Sequence, residues 1–357
     1  MCLAAYAAFL VGLMVVHHLV MTGLSILGTM LRLPLALGKF LHDSDSGEEE
    51  CEGGPWRNPL RTWLAHFRSG DPDAHIGPML LEQDGPGIHI VVAEMACKVG
   101  SPIPEEIRLT YLPCCGVIEQ RVWAGLRPRR RILVLGLPLL YVLSIEELRA
   151  VVAHELAHLS RGDAALAFVV SQFIDSLDRS IDAGAHTAWG WLNPCVLLAW
   201  FVRGAFRVLS CPLSRYQEYR ADAIAAAVCG SDTVTNSLQN AALVQPIFRE
   251  VLCQYHPVAI HNVNLYSFFL LSWTAIDEAF KQELKETLLL EEPASLFDPH
   301  PRLRARLGKI RRYSTHREPD ARPARRLLEH RQNLEEVLHN YIYRTRSPHL
   351  TVYRPSE

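Results

Sequence analysis

Apolar and charged residues are distributed very unevenly along this chain of 357 residues. The segment Met1–Leu31 contains no Asp, Glu, Lys or Arg. As a helix it would extend about 45 Å, which exceeds the hydrocarbon thickness of about 30 Å in a bilayer. A secretory signal peptide would have a basic start and an apolar core of about 7–15 residues, and neither is present. The pattern predicts an N-terminal transmembrane helix over about residues 3–31, within a membrane anchor of residues 1–40.

A second uncharged run, 183–202, is also long enough to cross a bilayer, but it includes Asn193 and Pro194. Together with the apolar segment before it, this run predicts a helical hairpin at 164–208. The hairpin either enters the bilayer or packs beside it, and the sequence leaves both arrangements open. The apolar stretch 265–273 is too short to cross a membrane and predicts a buried core helix.

The spacing of apolar residues elsewhere predicts a mostly helical α+β domain over residues 88–315. Within it, Ser144 precedes an apolar-periodic segment and Glu147 follows three residues later. This is a capping box, so a helix is expected to begin at Ser144. The other expected elements are a helix at 88–100, short strands at 107–119 and 129–143 that form a small sheet, and further helices to about residue 312.

Two segments flank this predicted domain. Residues 41–87 contain the acidic run Asp43–Glu52 and several Pro and Gly turn signals, which are typical of a variable connector. Residues 316–357 form a basic tail that includes a predicted amphipathic helix at 324–343. The apolar side of that helix is expected to consist of Leu327, Leu328, Leu334, Val337, Leu338 and Tyr341.

The distribution of charge orients the chain relative to the membrane. Arg32 and Lys39 follow the first predicted span and no basic residue precedes it. The positive-inside rule therefore predicts that this is an integral membrane protein with the bulk of the chain on the cytoplasmic side. The basic tail is typical either of contact with anionic lipid or of a solvated charged face. The net charge of −2 predicts no general attraction to nucleic acid.

The nine cysteines are an odd number and include no C-x-x-C pair. They are therefore expected to be reduced thiols in a cytosol-facing protein, rather than a disulfide framework or a structural zinc site. Cys114 and Cys115 are adjacent in sequence, which suits coordination of a single metal ion poorly, and their role is left open.

The helix that begins at Ser144 contains the sequence HELAH, with His154, Glu155 and His158 in the order H-E-x-x-H. Residues four apart share one face of a helix, so both imidazoles can bind the same ion. Glu155 lies at the edge of that face, where it can accept a proton from a metal-activated water. The motif alone does not exclude an ordinary amphipathic core helix.

A hydrolytic zinc site usually has three protein ligands. In the segment SRYQEYRAD, Glu218 and Asp222 are again four residues apart on a predicted helix, which is expected to begin after Pro212 and to end near Gly230. Glu218 is the predicted third ligand. Asp222 is predicted to accept a hydrogen bond from the outer nitrogen of a ligand histidine. On its own, the pair is more typical of a solvated helix face.

A third segment, FDPHPRLRARL, contains His300 and Arg306. In a cleft, His300 is predicted to donate a hydrogen bond to the oxyanion of a tetrahedral intermediate, and Arg306 to hold this loop or contact the peptide. The alternative for His300 is an ordinary turn histidine before a helix.

These three segments together resemble the membrane zinc metallopeptidases of the M48 type. That group includes the heat-shock membrane protease of bacteria, the prenyl-protein (CAAX) protease and the mitochondrial overlapping-activity protease. The resemblance covers roughly residues 90–312. It implies a zincin-like fold of the gluzincin kind, with His154, His158 and Glu218 binding one Zn²⁺ per chain and Glu155 as the general base. His300 and Arg306 match the family's His-Pro element and the arginine that follows it.

The chain departs from this family in two places. YLPCCGVIE stands where the family often has an Asn-Ala element on the strand that lines the substrate cleft. With one or two predicted spans, the chain is not expected to enclose its site as the prenyl-protein protease does.

The expected function is that of a membrane-anchored zinc endopeptidase, which acts on peptide or protein substrates in membrane-protein quality control or regulatory proteolysis. The alternative is a non-catalytic, zinc-stabilised membrane adaptor or sensor. Glu155 argues against the alternative because a structural zinc site does not need it.

Overall fold

The computed structural model describes Gly12 and residues 77–122, 127–160, 170, 173–182, 194–255, 264–291, 301–310 and 320–346. The predicted N-terminal transmembrane helix lies outside the described residues except for Gly12, which is helical. Most of the connector and the end of the basic tail also lie outside them, and the predicted boundaries of the membrane anchor, connector, domain and tail stay predictions.

The described part of the chain is mostly helical and contains a small sheet, which confirms the predicted α+β class. In chain order its elements are α1 (Pro86–Val99), β1 (Glu106–Thr110), β2 (Cys115–Val122), β3 (Arg127–Gly136), α2 (Leu137–Val142), α3 (Ile145–Leu159), α4 (173–182), α5 (Pro194–Cys229), α6 (Ser231–Gln254), α7 (Leu265–Ala275), α8 (Glu278–Glu291), α9 (Leu303–Ile310), a 3₁₀ turn (Ala324–Leu327) and α10 (Arg331–Arg346).

The sheet has the strand order β1-β3-β2, with β1 parallel and β2 antiparallel to the central strand β3. The backbone of residues 78–80 bonds to the outer edge of β1. Within the described residues no strand pairs with the other edge of β2, so β2 forms the border of the sheet on that side.

The strand predictions were right in location and wrong in extent. Residues 107–119 form two strands, because Leu112–Cys114 turn the chain, and the amide of Cys114 bonds back to the carbonyl of Leu112. The predicted strand 129–143 ends at Gly136, where the chain enters α2 with Pro138 in its first turn. A side chain at position 136 would collide with the backbone of Leu112 and Cys114, so the turn requires glycine there.

Helix α3 lies at the centre of the domain and packs against α1, α5, α6 and β2. The predicted capping box is confirmed: the Ser144 hydroxyl accepts a hydrogen bond from the Glu147 amide, and the Glu147 carboxylate accepts one from the Ser144 amide. Ala150, Ala153 and Ala157 are buried. Their small side chains allow neighbouring helices to approach α3 closely. The predicted core helix at 265–273 is also confirmed as α7, with Leu265, Tyr266 and Phe269 buried.

Helix α5 is much longer than predicted. It does not begin after Pro212 but runs unbroken from Pro194 to Cys229 and includes Pro212 within it. The second half of the predicted hairpin and the helix that carries Glu218 are therefore one element. By length and composition, residues 196–229 could cross a membrane. The half of α5 that precedes Pro212 packs on α4 through a small separate core of Phe173, Leu177, Ala199, Phe206 and Leu213.

The C-terminal amphipathic helix begins later than predicted. Ala324–Leu327 form a 3₁₀ turn, and the amide of Ala324 at its start bonds to the carbonyl of Leu143 just before α3. His330 then adopts a left-handed backbone conformation, and α10 begins at Arg331. Leu334 and Leu338 are buried as predicted, but Val337 is 49% exposed. Tyr341 is helical, and its side chain lies outside the described set.

Helix α10 is held by a buried carboxylate. Glu335 is 3% exposed and accepts a hydrogen bond of 2.6 Å from Asn264, the N-cap residue of α7. Arg331 lies 3.2 Å from its other oxygen. Burial nevertheless raises the pKa of Glu335 to about 7. The buried imidazole of His339 lies one turn further along, and burial lowers its pKa.

We predict that Glu335→Gln removes a pH-dependent loss of stability. The pKa of Glu335 is higher in the folded than in the unfolded chain, so wild type should lose stability as pH rises from about 4.5 through 7, by an amount on the order of 2 kcal/mol. The variant should be the more stable protein at pH 8 and equal to wild type below pH 4.5. Urea unfolding across this range measures the difference. Glu329→Gln, at an exposed position, is the control and should follow wild type.

Candidate metal centre

Helices α3 and α5 bring three potential metal ligands together. His154 and His158 point from α3 with their Nε2 atoms 3.4 Å apart. From α5, the Glu218 carboxylate places one oxygen 3.4 Å from His154 Nε2 and the other 3.8 Å from His158 Nε2. Zinc bound tetrahedrally at about 2.1 Å from each ligand would need ligand atoms about 3.4 Å apart. The three side chains are therefore spaced so that they can hold a metal ion.

Asp222 and Arg306 support this group from behind. Asp222 Oδ1 lies 3.0 Å from His154 Nδ1, so its carboxylate favours the tautomer that leaves Nε2 available to a metal. Arg306 of α9 donates two hydrogen bonds to Asp222, of 2.8 and 2.7 Å. Its other terminal nitrogen lies 3.4 Å from Glu218. Asp222 is only 1% exposed, so the guanidinium supplies the positive charge that this buried carboxylate needs.

The surroundings shift the pKa values of His154 and His158 in opposite directions. Burial lowers the pKa of His154, but the carboxylates of Asp222 and Glu218 outweigh it and raise the pKa to about 9. Burial and the nearby charge of His154 lower the pKa of His158 to about 4. A metal ion binds only the unprotonated imidazole nitrogens, so metal binding at this site competes with protonation of the histidines.

Helix α9 is fixed against α5 by a second contact. The ammonium group of Lys309 lies 3.2 Å from the centre of the Tyr219 ring, a cation–π contact next to Glu218. This contact and the Arg306–Asp222 bonds place α9 beside the three potential ligands. The pairing of Arg306 with Asp222 had not been predicted, and the predicted role of Arg306 in holding the His300 loop or contacting the peptide stays a prediction. His300 lies outside the described residues, so its predicted position at the oxyanion stays a prediction.

Glu155 lines a cleft of about 370 Å³ together with His154 and Arg306. Cys114 and Cys115 form part of the wall nearest the sheet. Burial raises the pKa of both thiols, and the charge of Glu155 raises it further. Both are therefore uncharged at neutral pH, and a nucleophilic role for either thiol is disfavoured.

Helix α6 supplies a wall of the cleft that the sequence had not indicated. Val234, Ser237, Leu238 and Ala241 face it, opposite Ala150 and Val151 of α3. The one feature of the sequence that indicates this wall is the spacing of the apolar residues Val234, Leu238 and Ala241. The same spacing is typical of any helix that faces a core, so it does not predict a cleft.

The ladder between β2 and β3 determines which backbone groups of β2 face outward. The amide of Gly136 donates 2.7 Å to the carbonyl of Cys114, which lies opposite it in the register of the two strands. Hydrogen-bonded pairs alternate along an antiparallel ladder. The N–H and C=O groups of Cys115, Val117 and Glu119 are therefore directed away from β3, toward the free border of the sheet.

Comparison with known proteins agrees with this geometry. The sequence profile of Peptidase family M48 matches residues 86–314. A "Protease HtpX homolog" of Persephonella marina is 29% identical over 161 residues, which are 41% of this chain and 53% of that protein. A "Protease HtpX homolog" of Pelotomaculum thermopropionicum is 27% identical over 194 residues, covering 50% and 66%. A "Protease HtpX" of Chromohalobacter salexigens is 33% identical over 109 residues, covering 26% and 36%.

The chain thus spans between about a third and two thirds of the length of these relatives. No solved structure matches it. The family match extends from α1 through α9 and includes every side chain of the metal centre described above. This chain belongs to peptidase family M48.

Proposed function

We propose that this protein is a zinc-dependent endopeptidase. The observation that carries the proposal is the convergence of His154, His158 and Glu218 on one point, with Glu155 beside them in an open cleft. Two imidazoles and a carboxylate are a ligand set that zinc accepts in hydrolytic sites, with a fourth position left for water. A purely structural zinc site would have no use for the carboxylate of Glu155 in the cleft.

Zinc held by these three side chains would supply Lewis-acid chemistry, by which a water is activated near neutral pH and the substrate carbonyl is polarised. Glu155 accepts the proton of the attacking water and later returns it to the leaving amine nitrogen, so that the peptide C–N bond breaks without a net change at Glu155. Asp222 holds the tautomer of His154, and Arg306 balances the charge of Asp222. His300 donates a hydrogen bond to the oxyanion.

The substrate binds as an extended strand along β2. The outward backbone groups of Cys115 and Val117 provide donors and acceptors at the border of the sheet. Hydrogen bonds to the substrate backbone hold the peptide without regard to its side chains. This arrangement supports action on many extended or unfolded polypeptides, as expected of quality-control or regulatory proteolysis.

The apolar part of the cleft selects the side chain next to the cleaved bond. Its walls contain Ala150, Val151, Leu238 and Ala241, which leave room for a large apolar group. We predict that Ala241→Trp fills this space and lowers kcat/KM about tenfold or more for peptides with Leu or Phe at that position, but less for peptides with Ala. Peptide libraries read by mass spectrometry measure the shift. Ala275→Trp, at an exposed position on α7, is the matched control.

The membrane anchor belongs to the proposal as well. The uncharged segment Met1–Leu31 tethers the domain, and Arg32 and Lys39 place it on the cytoplasmic side. Lipid is therefore a partner, and the basic tail adds contact with anionic headgroups.

Metal analysis tests the function directly. We predict that purified protein carries one zinc ion per chain, that 1,10-phenanthroline abolishes cleavage of casein, and that added Zn²⁺ restores it. Protein that binds zinc but cleaves nothing would support the adaptor alternative. Protein that binds no zinc would contradict both functions.

A further inference from the structure

A second cavity, of about 1140 Å³, continues from the cleft of the metal centre. The turn before β2, helix α6 and the first residue of α9 contribute to the walls of both. The described residues that line both cavities are Pro113, Cys114, Ala242, Gln245 and Leu303. The two cavities are therefore parts of one continuous groove, which begins beside Glu155 and extends away from it.

One face of α6 forms the floor of both parts. Residues of this face recur at intervals of three or four, so they lie on the same side of the helix. The first three line the cleft and the last three line the second cavity; in chain order they are Val234, Leu238, Ala241, Gln245, Phe248 and Leu252. From Ala241 to Leu252 the face continues for about 17 Å, which equals the length of about five residues of extended chain.

The sides of the second cavity are the turn Leu112–Cys114 and helix α8, which contributes Thr287 and Leu288 and packs on α6. We call the space between this turn and α8, over α6, the α6 groove. Most of its described lining is apolar, and the charged residues in that lining are Arg249 and Glu250, whose charges balance. The α6 groove therefore suits an occupant with apolar side chains and little net charge.

The position of β2 indicates what enters the α6 groove. Strand β2 begins at Cys115, directly after the turn that forms one side of the groove. A peptide bound along β2 leaves the sheet at Cys115 and meets the α6 groove next. Antiparallel pairing is the more stable of the two pairings of strands. A peptide that runs antiparallel to β2 passes Cys115 with its carboxyl-terminal part.

We propose that the α6 groove binds the substrate on the carboxyl side of the cleaved bond, over about five residues, and selects apolar side chains there. This inference rests on the proposed function and names its substrate class. The substrates are long, unfolded polypeptides with an apolar segment after the cleaved bond. Contacts remote from the reacting bond contribute to catalysis, so a peptide that ends soon after this bond loses that contribution.

A thiol in the groove provides a test of binding. Cys253 is exposed in the lining of the α6 groove, and Cys97 is exposed on α1, outside the described lining of both cavities. The full chain carrying Glu155→Gln is treated with N-ethylmaleimide, with and without β-casein as an unfolded polypeptide, and mass spectrometry follows each cysteine. With casein at about ten times its Kd, alkylation of Cys253 should slow about tenfold, whereas that of Cys97 should not change.

Two results of this experiment would contradict the proposal. Equal alkylation of Cys253 with and without casein would show that the polypeptide does not enter the α6 groove. Protection of Cys253 by phosphatidylcholine in the absence of casein would show that the groove holds lipid.

A peptide series measures the effect on catalysis. The amino side of the cleaved bond is kept constant, and the carboxyl side is lengthened from one residue to about six, with Leu at the last two positions. For wild type, kcat/KM should rise about tenfold from the shortest to the longest peptide, as expected when an apolar side chain gains a pocket. A rise that occurs only when the amino side is lengthened would overturn the proposal.

Thr287→Trp narrows the α6 groove from the α8 side and should reduce the ratio of kcat/KM between the longest and the shortest peptide to about one. A general loss of active protein leaves this ratio unchanged. Gln282→Trp, at an exposed position of α8 outside the described lining, is the control and should keep the wild-type ratio. An unchanged ratio in Thr287→Trp would overturn the proposal. Failure of the wild type to cleave any peptide would contradict the proposed function alone, because protection of Cys253 requires binding and no hydrolysis.

Discussion

Replacing Glu155 by glutamine is expected to abolish peptide hydrolysis while the metal stays bound. The amide is nearly the same size as the carboxylate but cannot accept a proton from the attacking water. General-base catalysis contributes about 10²–10⁴-fold, so kcat should fall by at least this factor. The side chain is not one of the three that surround the metal position, and zinc content should equal that of wild type.

Casein cleavage and metal analysis on the same preparation measure both quantities. Glu283→Gln, an exposed position on α8, is the control and should retain full activity. Loss of zinc together with activity in Glu155→Gln would show that Glu155 acts as a ligand or holds the fold. Retained activity would show that another group is the base.

Asp222→Asn is expected to weaken both the metal site and the fold. The neutral amide cannot balance the charge of Arg306. In the wild type, the Asp222 carboxylate accepts two hydrogen bonds from this guanidinium. Loss of an outer partner of a ligand histidine typically lowers metal affinity about 10–100-fold. Arg306 would then keep only the carboxylate of Glu218, at 3.4 Å, so the free energy of unfolding should fall by up to the about 3–5 kcal/mol that an unpaired buried charge costs.

The double variant Asp222→Asn, Arg306→Met separates the two effects. Removing the guanidinium should restore part of the stability, because the buried cation that had lost the Asp222 carboxylate is then absent, but it should not restore zinc affinity. Competition with a zinc indicator gives the affinity, and urea unfolding gives the stability. Unchanged zinc affinity in Asp222→Asn would show that Asp222 does not position His154.

The parts of this site that the sequence predicted depend on local spacing. His154 and His158, and likewise Glu218 and Asp222, are four residues apart on a helix, and such a pair shares a face whatever the rest of the chain does. The capping box at Ser144 is equally local. Arg306 lies 84 residues from Asp222 in sequence, and no local spacing could reveal that the two side chains bond to each other.

The errors came from features that tertiary structure decides. Pro212 reads as a helix start, yet α5 continues through it, because the helix packs on α4 before that point and on α3 after it. The strand predicted at 107–119 is broken by a turn that must fit against Gly136 of another strand. The wall of the cleft formed by α6 combines residues far apart in the chain, which periodicity does not reveal.

The three potential metal ligands lie on two helices that differ in how much protein surrounds them. The histidines belong to α3, which is enclosed by protein, whereas Glu218 belongs to a long helix whose first half carries exposed apolar side chains such as Trp200 and Phe201. Phe201 and Glu218 are about 25 Å apart on that helix, with no hinge loop between them. Because α5 is one continuous helix, a lateral force on its first half would be transmitted along it and change the distance between Glu218 and the histidines.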